Sequence, residues 1–429
     1  MRTSNMSQIE YINIDQAEVD QLLENPSFCS LAWIHAHQAP DAKIAPCCIG
    51  KMSGEAVLVD TVDELINHDY LRNLRLDMVN GIKNSICENC YSHERDFGDS
   101  FRKGKNREFG HLMHRALNST RTDGIIEDFE MHYYDIRFSN VCNMKCRSCG
   151  PAFSSLWENE IKIHDVPGHL SQYHSGYAPS ETDLLQDVLD NHVKNIELAY
   201  FAGGEPLVSD EHYAILNKLI ELEKFDVGLL YNTNASVLQF KNYNLVDMWS
   251  KFHNVVDVSA SIDHVGARAE YIRHGTKWDK VNTNLKTLSN LDMVGLNVNT
   301  VVSNLNYVTL DEHVRSLVES GIIKPDNDQH IGMSPLYGPS HLCAQALPAD
   351  IKAIGGARNK ALIEWLLEQG FLPDNGTVTT LTDIINFTES ADRWPEQREH
   401  FNNHIQYFDK IRGEDFKTTF PELASMINE

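Results

Sequence analysis

The chain has 429 residues, 42% hydrophobic and 23% charged, long enough to bury a core and too apolar to be read as disordered. Against 37 Lys and Arg stand 61 Asp and Glu, a formal net charge of -24. So acidic a surface argues against a nucleic-acid partner unless a local basic patch overrides it. The densest basic run, Arg102 to Arg107 within FRKGKNREFG, reads as a solvated loop rather than such a patch. The polar, acidic N-terminal stretch resembles neither a secretory signal nor a transit peptide, and no apolar run reaches membrane-spanning length, so the expected location is the cytoplasm.

In chain order, residues 1–25 read as an N-terminal extension and residues 26–110 as a cysteine-rich module. Leu31 to His37 alternates like a strand, Pro40-Asp41-Ala42 is turn-like, and Lys43 to Cys48 returns as a hairpin partner. His35 and His37 share one face of that strand and read as ordinary histidines near a polar site. Glu64 to Val79 has the spacing of one amphipathic helix, ending near Asn80-Gly81.

From 130 to 340, strand-like and helix-like segments alternate. The expected strands are Asp135–Phe138, Ile196–Phe201, Val227–Tyr231, Val255–Ile262, Leu296–Val302 and His330–Leu336. Between them, Pro151–Ile163, a helix opened by a capping box at Ser180 to Asp183, Asp210–Lys224, Leu245–Phe252, Trp278–Leu291 and Leu310–Glu319 read as helices. Such alternation predicts parallel strands with crossover helices, an α/β open sheet or partial barrel whose ligand site lies at the C-terminal strand ends. Residues 341–429 form a helical extension, with Leu347–Trp365 and His404–Arg412 as helical segments.

The nine cysteines are unevenly placed. Cys142, Cys146 and Cys149 fall within VCNMKCRSCG, just after the first strand of the alternating region. Clustered thiols in a cytoplasmic protein bind metal or do redox chemistry more often than they form disulfides. Iron-sulfur clusters usually take four thiolates, so three leave one iron open to another ligand. The Cys-x3-Cys-x2-Cys spacing, with Gly203-Gly204-Glu205-Pro206 after the second strand, resembles the radical S-adenosylmethionine (radical SAM) superfamily.

That resemblance spans residues 130–340 and implies a partial (β/α)6 TIM-like barrel. It implies a 4Fe-4S cluster on Cys142, Cys146 and Cys149, with S-adenosylmethionine at its open iron. Gly203, Gly204, Glu205 and Pro206 would present backbone carbonyls to the cofactor's amino group. Asn234, in YNTNA, stands where relatives often carry a Thr-Asn-Gly; Ser259, Ser261 and Asp263 stand where they contact the ribose. Arg273, in EYIRHG, would pair with the cofactor's carboxylate. The sequence departs from the family at Ser148, where many members place an aromatic residue near the adenine. The reaction implied is reductive cleavage to a 5′-deoxyadenosyl radical that takes hydrogen from a peptide or small-molecule substrate, with an electron donor such as flavodoxin or ferredoxin.

Upstream, Cys29 and Cys47 face each other across the expected hairpin, and Cys87 with Cys90 supply a Cys-x2-Cys pair at metal spacing. The set resembles the twitch module, the shortened SPASM domain, and implies an auxiliary 4Fe-4S cluster for electron transfer. Here the module precedes the barrel, whereas in relatives it follows. A structural zinc site on the same thiolates is the alternative. Cys47 is preferred to Cys48 because it directly follows proline, and Cys343 reads as a buried small hydrophobe. His264, His330 and Tyr337, near strand ends, are candidate proton or substrate contacts. Rival readings are an RNA-modifying radical enzyme and a non-catalytic metal scaffold.

Overall fold

A computed structural model describes residues 9–168, 170, 182–325 and 329–427. The capping box proposed at Ser180 to Asp183 begins outside the described residues. The chain divides into two compact units. The first holds residues up to Phe138, the stretch ending at Phe201, and Asp210–Gly228. The second holds the chain from Ser139, Ala202–Ser209, and everything from Leu229 onward.

In the first unit lie strands β1 (His35–Gln38), β2 (Ile44–Ala45), β3 (Tyr133–Ile136) and β4 (Leu198–Phe201). β1 pairs in parallel with β3, placing His37 opposite Asp135, and antiparallel with β2, placing His37 opposite Ala45. The expected hairpin therefore forms, but from a shorter strand. Leu31–Ile34 is a turn of helix with every residue buried, so the apolar run there is inner helix surface rather than an alternating strand. The helix expected over Glu64–Val79 is two, Val62–Ile66 and Asp69–Val79. Asn67 breaks it: its amide donates to the Ile126 carbonyl and accepts from Ile126 N, while His68 Nδ1 accepts from Tyr70 N to start the second helix.

The basic run is also not a loop. Phe101–Phe109 is a helix, and the Arg102 side chain is 2% exposed, bound to Glu94 at 2.8 Å and to the Phe28 carbonyl at 2.6 Å. Its charge is spent inside the fold, on the buried face that Arg102 shares with Asn106 and Phe109.

The second unit carries β5 (Gly228–Thr233) from its second residue on, a hairpin of two short strands β6 (Gln239–Phe240) and β7 (Tyr243–Asn244), β8 (Val256–Ser261), β9 (Val294–Val302) and β10 (Ile331–Pro335). β5, β8, β9 and β10 pair in that order, all parallel. β9 alternates buried and half-buried residues along its whole length, with Leu296, Val298 and Val302 in the core. The crossover helices are Leu245–Trp249, Gly266–Ile272 with Trp278–Leu288, and Leu310–Glu319. Gly321 stops the last at φ +70°, as its sequence position suggested.

All six expected barrel strands are present, and the fold is α/β with the strand-and-helix order of a partial TIM-like barrel. The C-terminal part is helical: Ala349–Glu368, Gly376–Glu389 and Trp394–Arg412. The middle of these was not expected from the sequence. Among the described residues, no helix is long and apolar enough to cross a membrane.

Candidate functional site

All nine cysteines are free thiols. Cys142, Cys146 and Cys149 lie on the loop that enters the helix Ser155–His164. The helix starts later than expected: Pro151 sits in the preceding turn, and Ser154 is the N-cap. Ser154 Oγ accepts from Trp157 N and donates to the Met144 carbonyl at 2.6 Å, so one hydroxyl caps the helix and pins the loop. Trp157 Nε1 donates to the Cys146 carbonyl at 2.8 Å, and Asn140 Nδ2 to the Pro151 carbonyl at 2.8 Å. The loop's outer backbone is tied down as well, Lys145 N to the His274 carbonyl and Arg147 N to the Ile272 carbonyl.

The Gly203-Gly204-Glu205-Pro206 turn lies directly on this loop. Glu205 N donates to the Val141 carbonyl at 2.7 Å. A Cβ on Gly204 would overlap the Val141 carbonyl oxygen and come within 2.8 Å of the Asn140 carbonyl carbon, so only glycine permits the approach. Glu205 is 2% exposed; its carboxylate accepts from Thr233 Oγ1 and Asn234 N, each at 2.6 Å, and from Leu207 N at 3.1 Å. Burial pushes its carboxyl up while these donors pull it down, with burial the larger effect. Asn234 Nδ2 donates to Asn143 Oδ1 at 2.8 Å, and Asn143 Nδ2 to Ser236 Oγ at 2.8 Å, joining the loop after β5 to the cysteine loop.

Arg273 lies on the far side, its Nη1 4.0 Å from Cys146 Sγ and its Nε 2.8 Å from Asp263 Oδ2. Asp263 also accepts from Val301 N at 2.9 Å. Arg273, expected to meet a cofactor carboxylate, thus already holds one protein carboxylate and faces a thiol. Ser259 and Ser261 are half-buried on β8, and Ser148 is half-buried in the loop. Burial and then the neighbouring cysteines' charge push the Cys142 thiol up, and push Cys149 up to about 12. Three half-buried thiols on one loop match the donor chemistry of cluster iron, whose positive charge would offset the cost of ionising them there.

In the first unit, Cys29, Cys47, Cys87 and Cys90 line one pocket with Pro46, Ile49, Met78, Phe101 and Arg102. Burial, then the charge of Cys90, pushes the Cys87 thiol up to about 12. This donor set fits a four-thiolate cluster or a tetrahedral zinc ion equally. Cys48 is not a wall of that pocket. Its thiol is pushed up to about 11, by burial first and then by the charge of Asp135. His37 Nδ1 lies 2.8 Å from Asp135 Oδ2, Arg137 Nε lies 2.9 Å from the other oxygen, and His35 Nδ1 faces the Tyr133 carbonyl at 2.8 Å. These histidines are buried members of a hydrogen-bonded network.

His264 is buried and faces Thr309 Oγ1. Tyr337 is 72% exposed and packs edge-on against Phe387. His330 packs against Gly376 at the start of the second C-terminal helix. Cys343 is fully buried, as expected. Sequence reasoning missed Arg147, Glu160, Asp409, Arg412 and Glu414, which surround the cysteine loop. Asp409 lies 262 positions from its partner Arg147, a separation no local spacing reveals.

No protein-family profile and no curated protein matches the chain. Solved structures do. Native anSMEcpe with bound AdoMet and Cp18Cys peptide aligns at 14% identity over 55% of this chain and 60% of that one, TM-score 0.37. Streptococcus suis SuiB bound to precursor peptide SuiA aligns at 14% identity over 66% of this chain and 57% of that one, TM-score 0.32. TYW1 with a lysine-pyruvate adduct aligns at 14% identity over 52% and 70%, TM-score 0.28. The chain thus spans about 60% of the length of the anSMEcpe structure.

Proposed function

We propose that this chain is a radical SAM enzyme. Cys142, Cys146 and Cys149 would hold a 4Fe-4S cluster and leave one iron open to S-adenosylmethionine. Gly203 and Gly204 offer backbone carbonyls to the amino group, Glu205 keeps that turn in shape, and Arg273 faces the cluster with its charge balanced by Asp263. When bound, the reduced cluster supplies the electron that cleaves S-adenosylmethionine to methionine and a 5′-deoxyadenosyl radical, which takes hydrogen from a peptide or small-molecule substrate.

The observation that carries this reading is the contact of the Gly204-Glu205 backbone with Val141, next to the first cysteine. Two motifs more than fifty residues apart share one hydrogen bond and one steric constraint. A metal scaffold with no cofactor has no use for a glycine turn pressed against its ligand loop. Cys29, Cys47, Cys87 and Cys90 would hold a second 4Fe-4S cluster supplying electron transfer, zinc being the alternative at that pocket. Arg102 pairs with Glu94, Lys105 with Glu108 and Arg107 with Asp99, so acidic partners offset most of the densest basic run, which disfavours the RNA-modifying alternative.

The test is anaerobic purification, assay of iron and sulfide, then addition of dithionite and S-adenosylmethionine. The expected product is 5′-deoxyadenosine, lost when any of Cys142, Cys146 or Cys149 becomes alanine. A fully iron-loaded protein that shows no S-adenosylmethionine binding by calorimetry and yields no 5′-deoxyadenosine would overturn the proposal.

A further inference from the structure

The C-terminal segment reaches the cysteine loop through buried charges. Arg147, between Cys146 and Cys149, has a fully buried side chain. Its Nη2 donates to Asp409 Oδ1 and to Glu414 Oε2, each at 2.6 Å. Its guanidinium lies 3.9 Å from the centroid of the Tyr271 ring, a cation–π contact. Both acids are themselves anchored. Asp409 accepts from Tyr271 Oη at 2.6 Å and from Phe416 N at 2.7 Å, and Glu414 Oε1 lies 2.6 Å from His274 Nδ1. A second bridge runs beside the first: Glu160 pairs with Lys145 of the loop and with Arg412, at 2.6 Å, of the helix Trp394–Arg412. Trp157 and Phe408 meet edge to face, with Cys149 packed against their cluster.

A buried guanidinium has to stay paired. The residue between two of the three cysteines is therefore held by groups 262 and 267 positions later. We propose that Arg147, Asp409 and Glu414 are positioning residues of the three-cysteine site, making the C-terminal segment a built part of the cluster's seat. The inference rests on the reading of that loop as a cluster site. Removing the two acids strands the Arg147 charge, so the loop moves toward water. Cys146 and Cys149 then become more accessible, and the cluster's seat for S-adenosylmethionine loosens.

The experiment uses the full chain, reconstituted anaerobically in a Cys87→Ala background so that iron reports on the three-cysteine site. Iron transfer to a chelator and the electron paramagnetic resonance signal of the reduced protein, with and without S-adenosylmethionine, are compared among four proteins. These are the parent, Asp409→Asn/Glu414→Gln, Arg147→Lys, and Glu422→Gln. The last removes a different C-terminal ion pair, to Arg268 at 2.9 Å. The double variant is expected to lose iron at least tenfold faster and to lose the cofactor-induced spectral shift. Arg147→Lys keeps the charge without the fork and falls between, and Glu422→Gln matches the parent. Iron release within twofold of the parent, with an unchanged spectrum, in both the double variant and Arg147→Lys would overturn the inference. So would equal losses in Glu422→Gln, which would mark general loosening of the segment. A chain that holds no cluster even with Cys87 intact overturns the underlying reading instead.

Discussion

Val265 N donates to His264 Nδ1 at 2.8 Å, and His264 Nε2 lies 3.0 Å from Thr309 Oγ1. The first contact uses a lone pair on Nδ1, which only the neutral ring has, while Nδ1 also lies 3.3 Å from the Val265 carbonyl. Burial first, then the charge of Arg268, lowers its pKa from 6.5 to about 4. The folded state thus prefers the neutral ring. Its stability contribution is complete above the unfolded value of 6.5, falls as pH drops toward 4, and is flat below that. A shift of this size is worth about 3 kcal/mol. His264→Asn keeps an acceptor for Val265 N and cannot titrate. Urea unfolding between pH 6.5 and 4 is therefore expected to show a shallower loss in the variant than in the parent. Other buried histidines titrate in the same window, so the difference between the two curves is the quantity to read, and parallel curves would remove His264 from the account.

At the scale of elements, the closest fit is between the turn after β4 and the cysteine loop. Gly204→Ala places a methyl group on the Val141 carbonyl, and backbone cannot swing aside as a long side chain does. The variant is expected to lose roughly 2 to 4 kcal/mol of stability and to bind S-adenosylmethionine at least tenfold more weakly. Thermal melts and calorimetry measure the two, and an unchanged affinity would mean that the turn is structural only. This junction was readable in the sequence because each motif is local: three cysteines in eight residues and four consecutive residues after a strand. Helix Leu310–Glu319 was read to the residue, since apolar spacing and Gly321 agree. The single helix over Glu64–Val79 was not, because its break depends on Asn67 bonding Ile126, 59 positions away. Leu31–Ile34 misled for a related reason: a fully buried turn of helix carries no polar face to betray its period.

At the scale of the whole molecule, the order of strands was legible and the clamp of the C-terminal segment was not. Strand order follows from alternating periodicity along the chain. The clamp follows from which distant acids meet Arg147, and charged residues on a helix look alike whether they face water or a buried partner. The two cysteine sets, in contrast, were separable from sequence, and each falls wholly within one compact unit. That separation makes a prediction. Cys87→Ala removes one wall of the pocket formed by Cys29, Cys47, Cys87 and Cys90. If both sites hold 4Fe-4S clusters, iron should fall from about eight to about four per chain. Cleavage of S-adenosylmethionine should persist within about threefold, because the open iron belongs to the other site. Cys48→Ala should leave iron unchanged, since Cys48 does not line the pocket. A parent with about four irons and one zinc, the zinc lost in Cys87→Ala, would identify the first unit's site as structural. Loss of all iron from Cys87→Ala would instead mean that the two sites depend on one another for folding.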